Sequence, residues 1–162
     1  MYKAGDHVVY KNNGICVIED IRKEKFGPQE KQDYYVLKLL YTEDALIYVP
    51  VEKEEKEGRM REPVSKQRAE EIIEEYKNAV EFWVYDDKLR ASKFRDVLDG
   101  ADMTELALLV KSLSKKSADL LGAGKRLRVS DDAVLRKAEA NFFGELAYAL
   151  DASITDVKQI LG

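Results

Sequence analysis

Apolar and polar positions alternate with two different periods along this chain. Before about residue 62 the apolar stretches are short and follow the period of two that a half-buried strand requires. Val8-Val9-Tyr10 is followed by Lys11-Asn12-Asn13-Gly14, a turn signal, and then by Ile15-Cys16-Val17-Ile18, a run that continues to Ile21. After the polar loop Phe26-Gly27-Pro28-Gln29-Glu30, the aromatic and branched run Tyr34–Leu40 reads as the next strand. Thr42-Glu43-Asp44 makes a turn, and Leu46-Ile47-Tyr48-Val49-Pro50 is a further strand ended by proline. Glu52–Glu57 reads as a short, solvated acidic turn. Closely spaced short strands with polar turns predict a small antiparallel barrel of the Tudor or SH3-like kind over residues 1–62.

From Pro63 the apolar spacing lengthens to the 3.6 of a helix, and residues 63–162 are expected to form an all-helical bundle. Ser65 caps a helix with Ala69, Ile72, Ile73 and Tyr76 on one stripe. Asp86–Leu98 places Leu89, Phe94, Val97 and Leu98 near one face, with Gly100 as the stop. Asp102-Met103-Thr104-Glu105 opens a run through Leu106, Leu109, Val110 and Leu113, and Gly122-Ala123-Gly124 breaks it. Ser130 is read as the cap of a helix carrying Val134, Leu135, Ala138, Phe142, Leu146 and Ala149, and Thr155 starts a last short helix through Val157, Ile160 and Leu161. The expected fold is therefore α+β in two domains.

Composition narrows the chemistry. The chain has 162 residues, is 45% hydrophobic and carries a net charge of -4, which suits a globular protein of one or two small domains. No apolar run reaches the length of a membrane span, and the start lacks a secretory signal pattern. Cys16 and His7 are the only cysteine and histidine, so no internal disulfide and no zinc site can be assembled. Cys16 lies in an apolar run, where a buried structural thiol outweighs a nucleophile, and nothing in the spacing calls for a pair with His7. The nucleotide-binding and hydrolase motifs GxxxxGK[ST], GxGxxG, GxSxG and HExxH are all absent. Neighbouring carboxylates such as Glu74-Glu75 and Asp86-Asp87 diverge on a helix, so they read as surface solvation. No catalytic residue, metal or cofactor is expected, and the protein is read as a non-enzyme.

Charge and aromatics supply the remaining candidates. Through Glu62 there are 11 basic and 13 acidic residues, leaving 16 and 18 for the rest, so neither part is basic overall. The cations of the helical part are nevertheless grouped: Lys88, Arg90, Lys93 and Arg95 in one segment, Lys111, Lys115 and Lys116 in the next, and Lys125, Arg126 and Arg128 in the glycine-flanked loop. Such groups make either a phosphate-facing surface or a solvated face of mixed charge. Trp83, in Glu81-Phe82-Trp83-Val84-Tyr85, sits at a junction between helices. There it is either a packing anchor, the commoner use, or an aromatic wedge against DNA bases.

Several stretches in order resemble the CarD/CdnL family of bacterial transcription regulators. These are Tyr2-Lys3-Ala4-Gly5-Asp6-His7-Val8-Val9-Tyr10, Asn13-Gly14, Tyr35-Val36-Leu37-Lys38, Val49-Pro50, the Leu98-Asp99-Gly100-Ala101-Asp102 turn and Gly144-Glu145-Leu146-Ala147. The resemblance implies a Tudor-like module that binds the RNA polymerase β subunit by strand-edge pairing, and a helical domain that touches promoter DNA at the upstream edge of the transcription bubble. It implies a cytoplasmic protein that modulates open-complex stability, binds DNA only weakly alone, and engages neither membrane nor small-molecule substrate. Carried onto this chain, the DNA contacts fall on Trp83, Lys88, Arg90, Lys93, Arg95, Lys125, Arg126 and Arg128. The polymerase contacts fall on Arg22, Lys23, Lys25, Lys38, Ile47 and Tyr48. Three positions depart from the family pattern. Asp86 holds the tryptophan position, three residues after Trp83; Tyr48 replaces the basic residue before Val-Pro; Asp132 replaces a late basic residue. The alternative is a protein–protein adaptor with the same barrel and no DNA contact; an enzyme built on converging carboxylates ranks third.

Overall fold

The computed structural model describes residues 1–41 and 45–162, so the turn expected at Thr42–Asp44 lies outside the described residues. The chain separates into two compact units, Met1–Pro63 and Val64–Gly162. Together they make an α+β protein with the sheet in the first unit and the helices mainly in the second.

In the first unit, β1 (His7–Tyr10), β2 (Ile15–Glu24), β3 (Gln32–Leu39), β4 (Leu46–Pro50) and β5 (Met60–Arg61) form one antiparallel sheet in the order β4-β3-β2-β1-β5. Because β4 and β5 end that order unpaired with each other, the sheet is open among the described residues, whereas the sequence suggested a closed barrel. A bulge between Ile18 and Asp20 in β2 resets the alternation. Cys16 and Ile18 before it, and Ile21 after it, pair with Leu39, Leu37 and Tyr35 of β3, so all three serve one face. That face is the core: Val8, Cys16, Ile18, Tyr35, Leu37, Val49, Val51 and Met60. Cys16 is fully buried. Cys16 opposes Val8, one position along from His7, so the thiol and the imidazole point to opposite faces and form no pair.

The acidic stretch expected as a turn is instead the helix α1 (Val51–Glu57). Glu52 lies in the first turn and Lys56 in the last, each favoured by the helix dipole, and the two meet at 3.1 Å. Gly58 terminates the helix at φ 58°, where a side chain would be strained. Val51 and Glu54, three apart, share the inward side. Buried Glu54 accepts hydrogen bonds from the Arg59 amide (2.8 Å) and from the Met60 amide (3.1 and 3.0 Å to its two oxygens). One carboxylate thus satisfies the backbone where the chain re-enters the sheet.

The second unit contains α2 (Lys66–Asn78), α3 (Asp87–Gly100), α4 (Met103–Gly122), α5 (Val129–Leu150) and α6 (Ile154–Leu161). Side-chain caps set four of the starts. Ser65, Asp86 and Asp102 accept from Arg68, Leu89 and Glu105 amides, and Ser153 with Asp156 forms a capping box. Ser130 is not the cap: it lies inside α5, which starts at Val129, with Arg128 at the cap position, two residues before Ser130, and no side-chain cap bond. The core gathers Ile72, Phe94, Leu109, Leu113, Phe142, Leu146 and Val157.

One charged side chain belongs to that core. Leu89, expected on the inward stripe of α3, is 65% exposed, and Arg90 is buried in its place. Arg90, Phe94 and Val97 follow at i, i+4 and i+7, so the stripe runs through the arginine. Its guanidinium donates from Nε and Nη2 to the two Asp131 oxygens (3.0 and 2.9 Å), from Nη1 to the Val84 carbonyl (3.0 Å), and meets Asp87 at 3.0 Å. Asp131 is itself buried. The hydrogen bonds to Asp131 hold the Arg90 pKa above its ordinary value, and burial opposes them.

Two stability predictions follow from these buried groups. Replacing Glu54→Ala leaves three N–H···O contacts unmade and should destabilise the first unit by about 2 kcal/mol. Amide hydrogen exchange at Arg59 and Met60 should quicken in that variant, and unchanged exchange would remove Glu54 from this role. Replacing Arg90→Met strands the Asp131 charge and should cost the second unit about 3–5 kcal/mol. The double variant Arg90→Met/Asp131→Leu should recover most of the loss. Urea unfolding followed by the single tryptophan, which lies in this unit, reads both.

Candidate functional site

The first unit presents a sheet face opposite its core and an open edge at β4. Tyr34, Val36 and Lys38 of β3 lie opposite Pro50, Tyr48 and Leu46 of β4, and Arg22 of β2 lies opposite Tyr34. On this face Phe26, Tyr34 and Tyr48 form an edge-to-face trio with ring centroids 5.0, 5.1 and 6.3 Å apart. Arg22 donates to the Tyr48 hydroxyl at 2.6 Å, with its guanidinium 5.5 Å from the ring centroid. That hydrogen bond is the main cause raising the Arg22 pKa, and Glu24 at 3.0 Å adds to it. A cation is therefore presented beside Tyr48, where the family pattern would have a basic side chain of the strand itself.

The expected polymerase residues divide between faces. Arg22, Lys38 and Tyr48 share the outer face. Lys23 points the other way and pairs with Asp33 at 4.0 Å, and Lys25 lies just past the end of β2. Ile47 packs against the core, so its side chain is unavailable at the edge and only its backbone can contribute there. Phe26, which is 42% exposed, belongs to the trio and was not singled out from sequence. Its signal is an aromatic in an otherwise polar loop just before Gly27-Pro28.

In the second unit the segment between α2 and α3 has no regular secondary structure and is pinned from both sides. The Phe82 amide donates to the buried Ser112 hydroxyl at 3.1 Å, and the Val84 carbonyl accepts from Arg90. Trp83 between them is half-buried and packs on the helical core, edge to face with Phe94 at 6.2 Å. Arg90 lies 4.7 Å and Lys116 5.0 Å from its ring centroid. Tyr85, two residues on, is 82% exposed and shares Lys116 at 5.8 Å. The more exposed aromatic of this segment is thus Tyr85, while Trp83 is held by its neighbours.

The cations proposed for DNA are not equivalent. Arg90 is buried and bound to Asp131, which takes it out of reach of a phosphate. Arg128 is exposed and paired with Asp87 at 2.7 Å. Lys88, Lys93, Arg95, Lys125 and Arg126 are exposed. Lys88 and Arg95 are seven residues apart and share one face of α3, whereas Lys93 lies about 140° around the helix from Lys88 at 100° per residue. Two of the three departures are aspartates with structural partners: Asp86 caps α3, and Asp132 pairs with Arg136 at 2.8 Å. Among the described residues no cluster of three or more metal-ligating side chains occurs, and no helix is long and apolar enough to cross a membrane.

Comparison with known proteins matches the first unit. Residues 2–64 fit the family model of the CarD-like/TRCF RID domain, a type of domain that interacts with RNA polymerase. No curated protein matches the chain. Its β1–β2 turn, the Tyr35–Lys38 strand and the Val49-Pro50 strand end all fall inside the matched residues. The sheet unit at residues 2–64 is thus similar to the CarD-like/TRCF RID domain, and the match describes that unit alone.

Proposed function

We propose that this protein is a cytoplasmic, non-enzymatic regulator of transcription initiation that docks on the RNA polymerase β subunit through its first unit. The observation carrying this reading is the open β4 edge inside the matched domain, flanked by Tyr48, Arg22 and the aromatic trio. A partner strand added to β4 would satisfy edge amides and carbonyls that the sheet leaves unpaired, and side chains on the adjoining face would select the partner. On this reading the sheet and α1 make a Tudor-like module.

The second unit is proposed to touch promoter DNA weakly at the upstream edge of the bubble, through Lys88, Lys93 and Arg95 of α3, with Lys125 as a further contact. A net charge of -4 suits a contact made only when a partner raises the local concentration of DNA. Binding that prefers open over closed promoter would then shift the open-complex equilibrium without catalysis. A second reading, an adaptor with no DNA contact, is favoured by one observation: Trp83 is packed between Phe94, Arg90 and Lys116.

Two measurements separate these readings. Arg22→Glu in the full chain should weaken binding to purified polymerase about tenfold or more, because charge reversal disrupts the Tyr48 contact at the docking face. Unchanged affinity would remove that face from the interface. Lys88→Glu/Arg95→Glu should preserve polymerase binding, bring open-complex lifetime to that of polymerase alone, and lower the salt-dependence slope by about 0.9 per lost phosphate contact. An unchanged lifetime in that variant would favour the adaptor.

A further inference from the structure

A groove lies between the last turns of α4, the loop after it and the first two turns of α5 in the second unit. It encloses about 420 Å³ and is lined by Leu121, Leu127 and Val129 together with Arg126, Asp132 and Arg136. The size suits one or two large apolar side chains. Its walls are fixed. The Lys125 amide donates to the Leu120 carbonyl at 2.7 Å and the Gly124 amide to Leu121 at 3.0 Å, with Gly124 at φ +75°. That paired pattern is a Schellman cap, which locks the loop as it leaves α4. Leu127 packs onto the helical core and forms the floor. Little ordering cost would remain for a ligand to meet.

The surface chemistry is mixed in a specific way. Val129 is 89% and Leu121 59% exposed, both large apolar groups at the groove. Arg126 is exposed and has no ion-pair partner among the described residues, whereas Arg136 is held by Asp132 at 2.8 Å. A nucleic-acid backbone would set phosphates against the Asp132 carboxylate and leave both aliphatics uncovered. A protein segment with apolar anchors and a carboxylate fits each feature: the anchors cover Leu121, Leu127 and Val129, and the carboxylate meets Arg126.

We propose that this groove docks an acidic amphipathic segment of a partner protein, giving the second unit a protein-binding site of its own. The inference does not depend on the DNA reading, and it assigns Arg126 to a protein ligand.

The test uses the full chain with methyl-labelled leucine and valine. The probe is a fluorescein-tagged helical peptide of about 14 residues with leucines at i, i+3, i+4 and i+7 and glutamates between them. Controls are the same peptide with serine for leucine, and a short DNA duplex. The proposal expects saturable binding, shifts at the Leu121, Leu127 and Val129 methyls, and little binding by the serine peptide. Arg126→Glu and Val129→Glu, both at exposed positions, should each weaken binding about tenfold while the melting temperature stays unchanged. Absence of methyl shifts at millimolar peptide would overturn it. So would peptide binding insensitive to both substitutions, or stronger shifts of the same methyls with the duplex.

Discussion

A sheet that does not close must do something with its edges, and that constraint organises the first unit. Unpaired strand edges expose rows of backbone donors and acceptors that attract other strands. The two edges here are treated differently. β5 has only two residues, and the buried Glu54 carboxylate takes up the amides at its start. β4 has five residues and ends at Pro50, whose missing N–H removes one donor. One edge is thus short and internally satisfied, and the other remains long enough for a partner strand. The aromatic trio and Arg22 lie on the face beside the longer edge, so backbone pairing and side-chain selection converge there.

The second unit is organised around a buried charge. Arg90 joins the starts of α3 and α5 through Asp131, holds the preceding connector through the Val84 carbonyl, and lies against Trp83. A buried ion pair adds little net stability over an apolar pair but is costly to break, so its value here is positional. It fixes the connector from which Trp83 packs inward and Tyr85 projects outward. The grouped cations of the helical part also make a smaller free positive surface than their number suggests: Arg90 is internal, and Arg128 carries Asp87.

Much of this was legible in the residues. Runs of branched and aromatic residues between turn signals located β1 to β4, although the period of two is only partial, since Val8-Val9 and Tyr34–Leu37 are each buried in succession. Ser65, Asp86 and Asp102 marked three helix starts, since their short oxygen-bearing side chains find the same free amides in any helix. What escaped did so for physical reasons. α1 has only Val51 and Glu54 turned inward, so no apolar stripe separates it from a solvated charge run. The α3 stripe was misjudged because an arginine occupies its first position, and hydrophobic periodicity does not count arginine as core. Ser130 looked like a cap because local spacing does not fix a helix start to within two residues, and Arg128, the actual cap position, offers no short oxygen-bearing side chain. The candidate site was legible as residue types only; pairing with aspartates and the inward turn of Ile47 depend on contacts distant in sequence.

Docking of RNA polymerase on the β4 edge, as proposed, is open to a direct reading by hydrogen exchange. Amide exchange of the full chain should be followed alone and bound to purified polymerase. Docking on β4 should bring strong new protection at amides of Leu46–Val49 that have no partner on β3, with exchange in β5 unchanged. Binding that leaves β4 exchange unaltered would contradict it.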